Sequence, residues 1–150
     1  MIVTIQRSHL ADGMGIKRRM STPESCEPMR QPTPNAIEWN ELITPDPAAA
    51  VSFYGGLFGW TTEVMSMPGM DYTMLKLGDR TFGGVIAPPQ PGIPPHWLHY
   101  VSVPDVDAST AKAVSLGATV CAGPMDIGDA GRIAIIRDPQ GAMFGMHQMK

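Results

Sequence analysis

Residues 36–44 (AIEWNELIT) mix apolar and polar positions with aromatic and β-branched side chains, the pattern of a strand with one buried face. The Pro45-Asp46-Pro47 triplet that follows starts a helix. Asp46 offers a side-chain oxygen to the first unpaired amides, and Pro47 sits where a missing N–H costs nothing. The spacing predicts a helix over 48–58, with Val51, Tyr54 or Gly55, and Phe58 on one face and Gly59 as its stop. Three strands are expected next, over 60–67, 71–77 and 81–87, separated by turns at Pro68-Gly69 and Gly78-Asp79. The order is β-α-β-β-β.

Residues 88–95 (PPQPGIPP) hold five prolines in eight and predict an extended connector. Beyond them the same grammar restarts. A strand is expected over 97–103, a helix start at Pro104-Asp105, a helix over 106–116 with Ala108, Ala111 and Ala113 allowing close packing, and a stop at Gly117. Strands over 118–122, 132–137 and 142–148 follow, the last two joined by the Asp138-Pro139-Gln140-Gly141 turn. A shift of 59 residues lays Pro45-Asp46 on Pro104-Asp105 and Leu57 on Leu116. The reading is one α+β domain over 35–149, made of two tandem βαβββ modules at 35–87 and 96–149 with the connector between them.

Residues 1–34 break this pattern. They are polar, lack periodicity and close on Pro23, Pro28, Pro32 and Pro34, so a disordered or extended tail is expected. One expectation is a native start at Met14, Met20 or Met29, and Lys17-Arg18-Arg19 reads as a solvated cluster. The tail carries five basic and three acidic residues; the remaining six basic and eleven acidic residues leave the rest of the chain at −5. With no basic stripe, nucleic acid is excluded as an expected partner. No apolar run nears the roughly 20 residues of a membrane span. Cys26 and Cys121 are expected as free thiols in a reducing cytoplasm, and residues 1–20 lack the apolar stretch of a secretory signal. Phosphate-loop and dinucleotide fingerprints are absent from the sequence.

Three local runs carry a resemblance: Glu38-Trp39-Asn40-Glu41-Leu42, Phe53-Tyr54-Gly55-Gly56-Leu57-Phe58-Gly59-Trp60, and Asp138-Pro139-Gln140-Gly141. They resemble the vicinal oxygen chelate superfamily, which groups glyoxalase I, the bleomycin-resistance proteins and the extradiol dioxygenases. The resemblance spans residues 35–149. It implies that the two modules form a curved, mostly antiparallel sheet around a U-shaped cleft, usually in a homodimer.

Catalytic members hold a divalent metal through four residues, one on the first and one on the last strand of each module. Counted from Phe53-Tyr54 and from Gly141, the resemblance puts these positions at Trp39, near Ile86, at Leu98 and at Gly145. None of the four has a metal-binding side chain, so no metal cofactor is expected there. Strand alternation sets Glu41 on the Trp39 side, His96 and Tyr100 on the Leu98 side, and Met143 and His147 on the Gly145 side. Trp39, Glu41, Leu98, Tyr100, Met143 and Gly145 are therefore the expected ligand contacts. Glu41, His96 and His147 would have to converge to rebuild a metal site one layer away. Glu41, His96, Tyr100 and His147 are the candidates for metal-free acid–base chemistry. His99 has the opposite parity and should face the helices or solvent, while Trp60 and Trp97 read as core. In an apolar cleft Glu41 would have a raised pKa; the structural alternative pairs it with Arg132 or Arg137 across the sheet.

The first functional expectation is a cleft that binds a small apolar or aromatic molecule without the family metal. The second is an enzyme of lyase or oxygenase type, using a relocated metal or metal-free acid–base chemistry. The third is a structural or regulatory partner whose surface matters more than its cleft. Eight of the 12 methionines lie beyond the tail, and such adaptable side chains suit a core or a permissive lining.

Overall fold

A computed structural model of the chain describes residues 32–67 and 70–150. The Pro68-Gly69 turn and all but the last three residues of the expected tail lie outside the described residues. The first module runs β1 (Ile37–Ile43), α1 (Pro47–Phe58), β2 (Thr61–Met67), β3 (Met70–Leu77) and β4 (Arg80–Ile86). The second runs β5 (His96–Ser102), α2 (Val106–Ser115), β6 (Thr119–Asp126), a 3-10 turn at Gly128–Ala130, β7 (Arg132–Arg137) and β8 (Met143–Gln148). The strands form one eight-stranded sheet in the order β2-β3-β4-β1-β5-β8-β7-β6. Only β1 with β4 and β5 with β8 are parallel, because each of these pairs closes over its module's helix.

The modules meet where β1 runs antiparallel to β5, with Trp39 opposite Tyr100, Asn40 opposite His99 and Glu41 opposite Leu98. Asn40 and His99 are themselves 59 residues apart, so the repeat axis passes between them. The His99 Nδ1 and Asn40 Oδ1 atoms lie 2.7 Å apart.

Both helices begin as the sequence predicts. The Asp46 carboxylate accepts from the Ala49 N–H at 2.9 Å, and Asp105 accepts from Ala108 at 2.8 Å. Helix α1 rests on Leu42, Leu75 and Val85 through Ala50, Val51 and Tyr54. Phe58, expected inward, stays 52% exposed, because Tyr54 and Trp60 fill the space beneath it and Phe58 packs on their rings instead. Helix α2 buries Val106 and Thr110 and turns Ala113 toward Ala134, Ile136 and Met146. The helical period selects 106, 110 and 113, which leaves Ala108 and Ala111 exposed rather than packed. Strand β6 runs four residues beyond its expected end. As an edge strand it takes register shifts between Val120 and Met125 and so accommodates Pro124.

Candidate functional site

Register divides the sheet into a face under the helices and a face that carries no helix among the described residues, here the helix-free face. The helix-free face receives Trp39, Glu41 and Ile43 from β1 and, opposite them, Tyr100, Leu98 and His96 from β5. Parallel pairing adds Gly84 beside Glu41 and Gly145 beside Tyr100. From β3 come Met74, opposite Gly84, and its same-face neighbour Tyr72; from β7 comes Ile135, opposite Gly145. The centre is filled by Ile43, Leu98 and Tyr100, with Trp39, Ile86, Ile93, Ile133 and Ile135 packed around them and only partly buried. Met65 and Met143 stand at its margins, 39% and 47% exposed.

One carboxylate lies in this apolar setting. Glu41 is 8% exposed. Its Oε1 accepts from the Tyr72 hydroxyl and its Oε2 from the Tyr100 hydroxyl, both at 2.9 Å. The Trp39 Nε1–H donates to the Tyr72 oxygen at 3.0 Å, and the two rings stack at 6.5 Å between centroids. The chain of donors runs from Trp39 to Tyr72 to Glu41, with Tyr100 joining from the other side.

Two glycines make this arrangement possible. A Cβ on Gly84 would collide with the Tyr72 hydroxyl, and a Cβ on Gly145 would collide with the Tyr100 ring. Each phenol therefore lies over a bare stretch of neighbouring backbone.

Burial pushes the Glu41 carboxyl above its ordinary value, while the bonds from Tyr100 and Tyr72 pull it back down. Burial, together with the negative charge of Glu41, holds both phenols far above their usual range. The phenols thus remain hydrogen-bond donors.

The structure brings Trp39, Glu41 and Tyr100 together, covers Leu98 and Gly145, and leaves Met143 exposed at the margin. Glu41 is not paired with Arg132 or Arg137: Arg132 binds Asp107 at 2.7 Å and Asp126 at 3.2 Å instead. His96 Nδ1 lies 2.8 Å from the Pro94 carbonyl, and His147 Nε2 lies 2.7 Å from that of Ala130, so each histidine engages a neighbouring loop rather than Glu41. Among the described residues no three His, Cys, Asp or Glu side chains are grouped to hold a metal ion. The fourth-strand position also shifts: Gly84 pairs with Glu41 as Gly145 pairs with Tyr100, so the partner of Gly145 in the repeat is Gly84 and not Ile86.

Tyr72 escaped the sequence reading. Its signal was the Gly83-Gly84 pair inside a predicted strand, which marks a place where something approaches the backbone closely.

The chain belongs to the Glyoxalase/Bleomycin resistance protein/Dioxygenase superfamily, whose model matches residues 36–146. Over 109 residues it is 46% identical to the Mycobacterium tuberculosis protein named "Putative glyoxylase CFP32", a match covering 72% of this chain and 42% of that one. It is 37% identical over 128 residues to "Anthracycline biosynthesis protein DauV" of Streptomyces sp. (strain C5), covering 75% of this chain and 46% of the relative. The chain thus spans under half the length of these relatives. Among solved structures, Streptomyces coelicolor methylmalonyl-CoA epimerase superposes with a TM-score of 0.59 at 19% identity, covering 78% of this chain and 96% of the epimerase. The Mycobacterium tuberculosis methylmalonyl-CoA epimerase gives 0.58 at 15%, covering 76% and 87%. At these identities the structures share the fold.

Proposed function

We propose that the helix-free face binds a small, largely apolar or aromatic molecule, and that it does so without the metal of its superfamily. The observation that carries this reading is the buried Glu41 carboxylate, held by two phenols with no cation beside it among the described residues, in a field of isoleucine, leucine and tryptophan. A buried carboxylate is costly to a fold and concentrates at sites of function. The residues do not fit the family's metal: Trp39 and Leu98 offer no donor, and at Gly84 and Gly145 the room for a ligating side chain is taken by tyrosines. The anthracycline relative agrees with an aromatic ligand, since anthracyclines are fused-ring molecules. We expect the protein to act in the cytoplasm as a homodimer.

A thermal-shift screen of fused aromatic compounds on the full chain tests the reading, because a bound ligand raises the unfolding temperature. Saturable stabilisation that is weakened by Trp39→Ala is expected. If no compound of this class stabilises the protein, the reading fails. Metal analysis of protein purified without chelators tests the other half, and one equivalent of iron, manganese, nickel or zinc would overturn it. A second reading, metal-free acid–base chemistry at Glu41, rests on its raised pKa, which brings a carboxylate nearer the range useful to a general base.

A further inference from the structure

Building on the binding site just proposed, we propose that its ligand is selected by a neutral hydroxyl of phenol or enol type, which the ligand donates to the Glu41 carboxylate. The argument is a count of donors and acceptors. The Trp39 N–H is given to Tyr72, the Tyr72 hydroxyl to Glu41 Oε1 and the Tyr100 hydroxyl to Glu41 Oε2. Every proton of the cluster is committed inward, so with Glu41 ionised none is left for a ligand. Acceptor capacity is left over. A carboxylate accepts about four hydrogen bonds, and Glu41 receives two.

A carbonyl, ether or nitro oxygen placed against this cluster would meet acceptor with acceptor. A hydroxyl supplies what is missing and adds a third bond to a charge that burial has left poorly solvated. A cationic amine would also answer the charge. It would have to leave water for the part-buried isoleucines 86, 133 and 135, whereas a phenol enters them with little loss of hydration. The asymmetry of the repeat supports one polar contact. The partner of Tyr72 in the second module is Ile133, so the pair of phenols on Glu41 has no counterpart there, and His96 and His147 on the same face are engaged by the Pro94 and Ala130 carbonyls.

The test is calorimetric titration of the full chain with 2-naphthol, 2-methoxynaphthalene and 2-(aminomethyl)naphthalene. Naphthol should bind at least about tenfold tighter than its methyl ether, as expected for a hydrogen bond to a buried charge. Glu41→Gln should reduce that ratio toward one, and Tyr100→Phe should keep it, since the carboxylate remains. Equal binding of naphthol and ether, tighter binding of the amine, or loss of the ratio in Tyr100→Phe but not in Glu41→Gln would each overturn the assignment of the hydroxyl while leaving an aromatic site in place. Saturable binding of none of the three would bring down the site itself.

Discussion

The two modules share an order of elements and differ in what they do with it. In the second, α2 closes on the sheet with Val106 fully buried and Thr110 beside it; in the first, α1 buries no residue completely and leaves Phe53, Leu57 and Phe58 more than half exposed. The helix-free face is divided in the same way. Module one supplies Glu41 and Tyr72, and module two supplies Tyr100 with Ile133 and Ile135. One half is a packed support, and the other carries most of the polar chemistry. Repetition gives two equivalent frames, and divergence lets one of them take on a buried carboxylate held by phenols while the other stays close-packed.

The largest effect that would break this contrast is at the two glycines. Gly145→Ala drives a methyl group into the body of the buried Tyr100 ring, which has nowhere to go, and should cost about 3 kcal/mol in denaturant unfolding. Gly84→Ala meets the hydroxyl and the adjoining ring edge of Tyr72, which is only part-buried and can move aside, and should cost about 1 kcal/mol. Equal losses would remove the distinction between support and working half. Next come the helices: Val106→Ala should cost about 2 kcal/mol and Val51→Ala, on the looser helix, about 1 kcal/mol.

A smaller effect appears with pH. Because the native state raises the Glu41 pKa above its ordinary 4.5, the folded protein holds that proton more tightly than the unfolded chain between 4.5 and the raised value. Stability therefore falls as pH rises through that window. Tyr72 from β3 and Tyr100 from β5 are the groups that face the carboxylate, and both keep their protons throughout. Urea midpoints of wild type and Glu41→Gln should diverge, with wild type favoured more at pH 5 than at pH 8. Asp107, held below its ordinary range by Arg132, contributes the opposite slope at lower pH, but it does so in both proteins and cancels. The smallest difference belongs to the helix caps. Asp46→Ala and Asp105→Ala should each cost about 1 kcal/mol and match one another, since the same side-chain bond to the third helical N–H is lost in both modules.

What the sequence made legible follows the same division. Trp39, Glu41 and Tyr100 were readable because β1 and β5 alternate cleanly and the 59-residue repeat ties them together. Tyr72 was not, because its strand begins beside Pro68-Gly69 and its pairing with β4 shifts between Leu75 and Lys76, so parity alone does not carry its position to Glu41. Ile86 stood in for Gly84 for a related reason: the two share a face, and a slip of two residues in a parallel pair leaves the hydrophobic pattern unchanged. The extension of β6 was hidden by Pro124, which in a central strand would have been disallowed.

The glycines at 84 and 145 also constrain how this chain changes over time. A larger side chain introduced at either position has to wait until the tyrosine above it has shrunk, and a tyrosine lost first leaves Glu41 with one donor instead of two. Both routes pass through a weaker protein. The paired positions should therefore change together or not at all, which makes each glycine and its tyrosine a single unit of substitution.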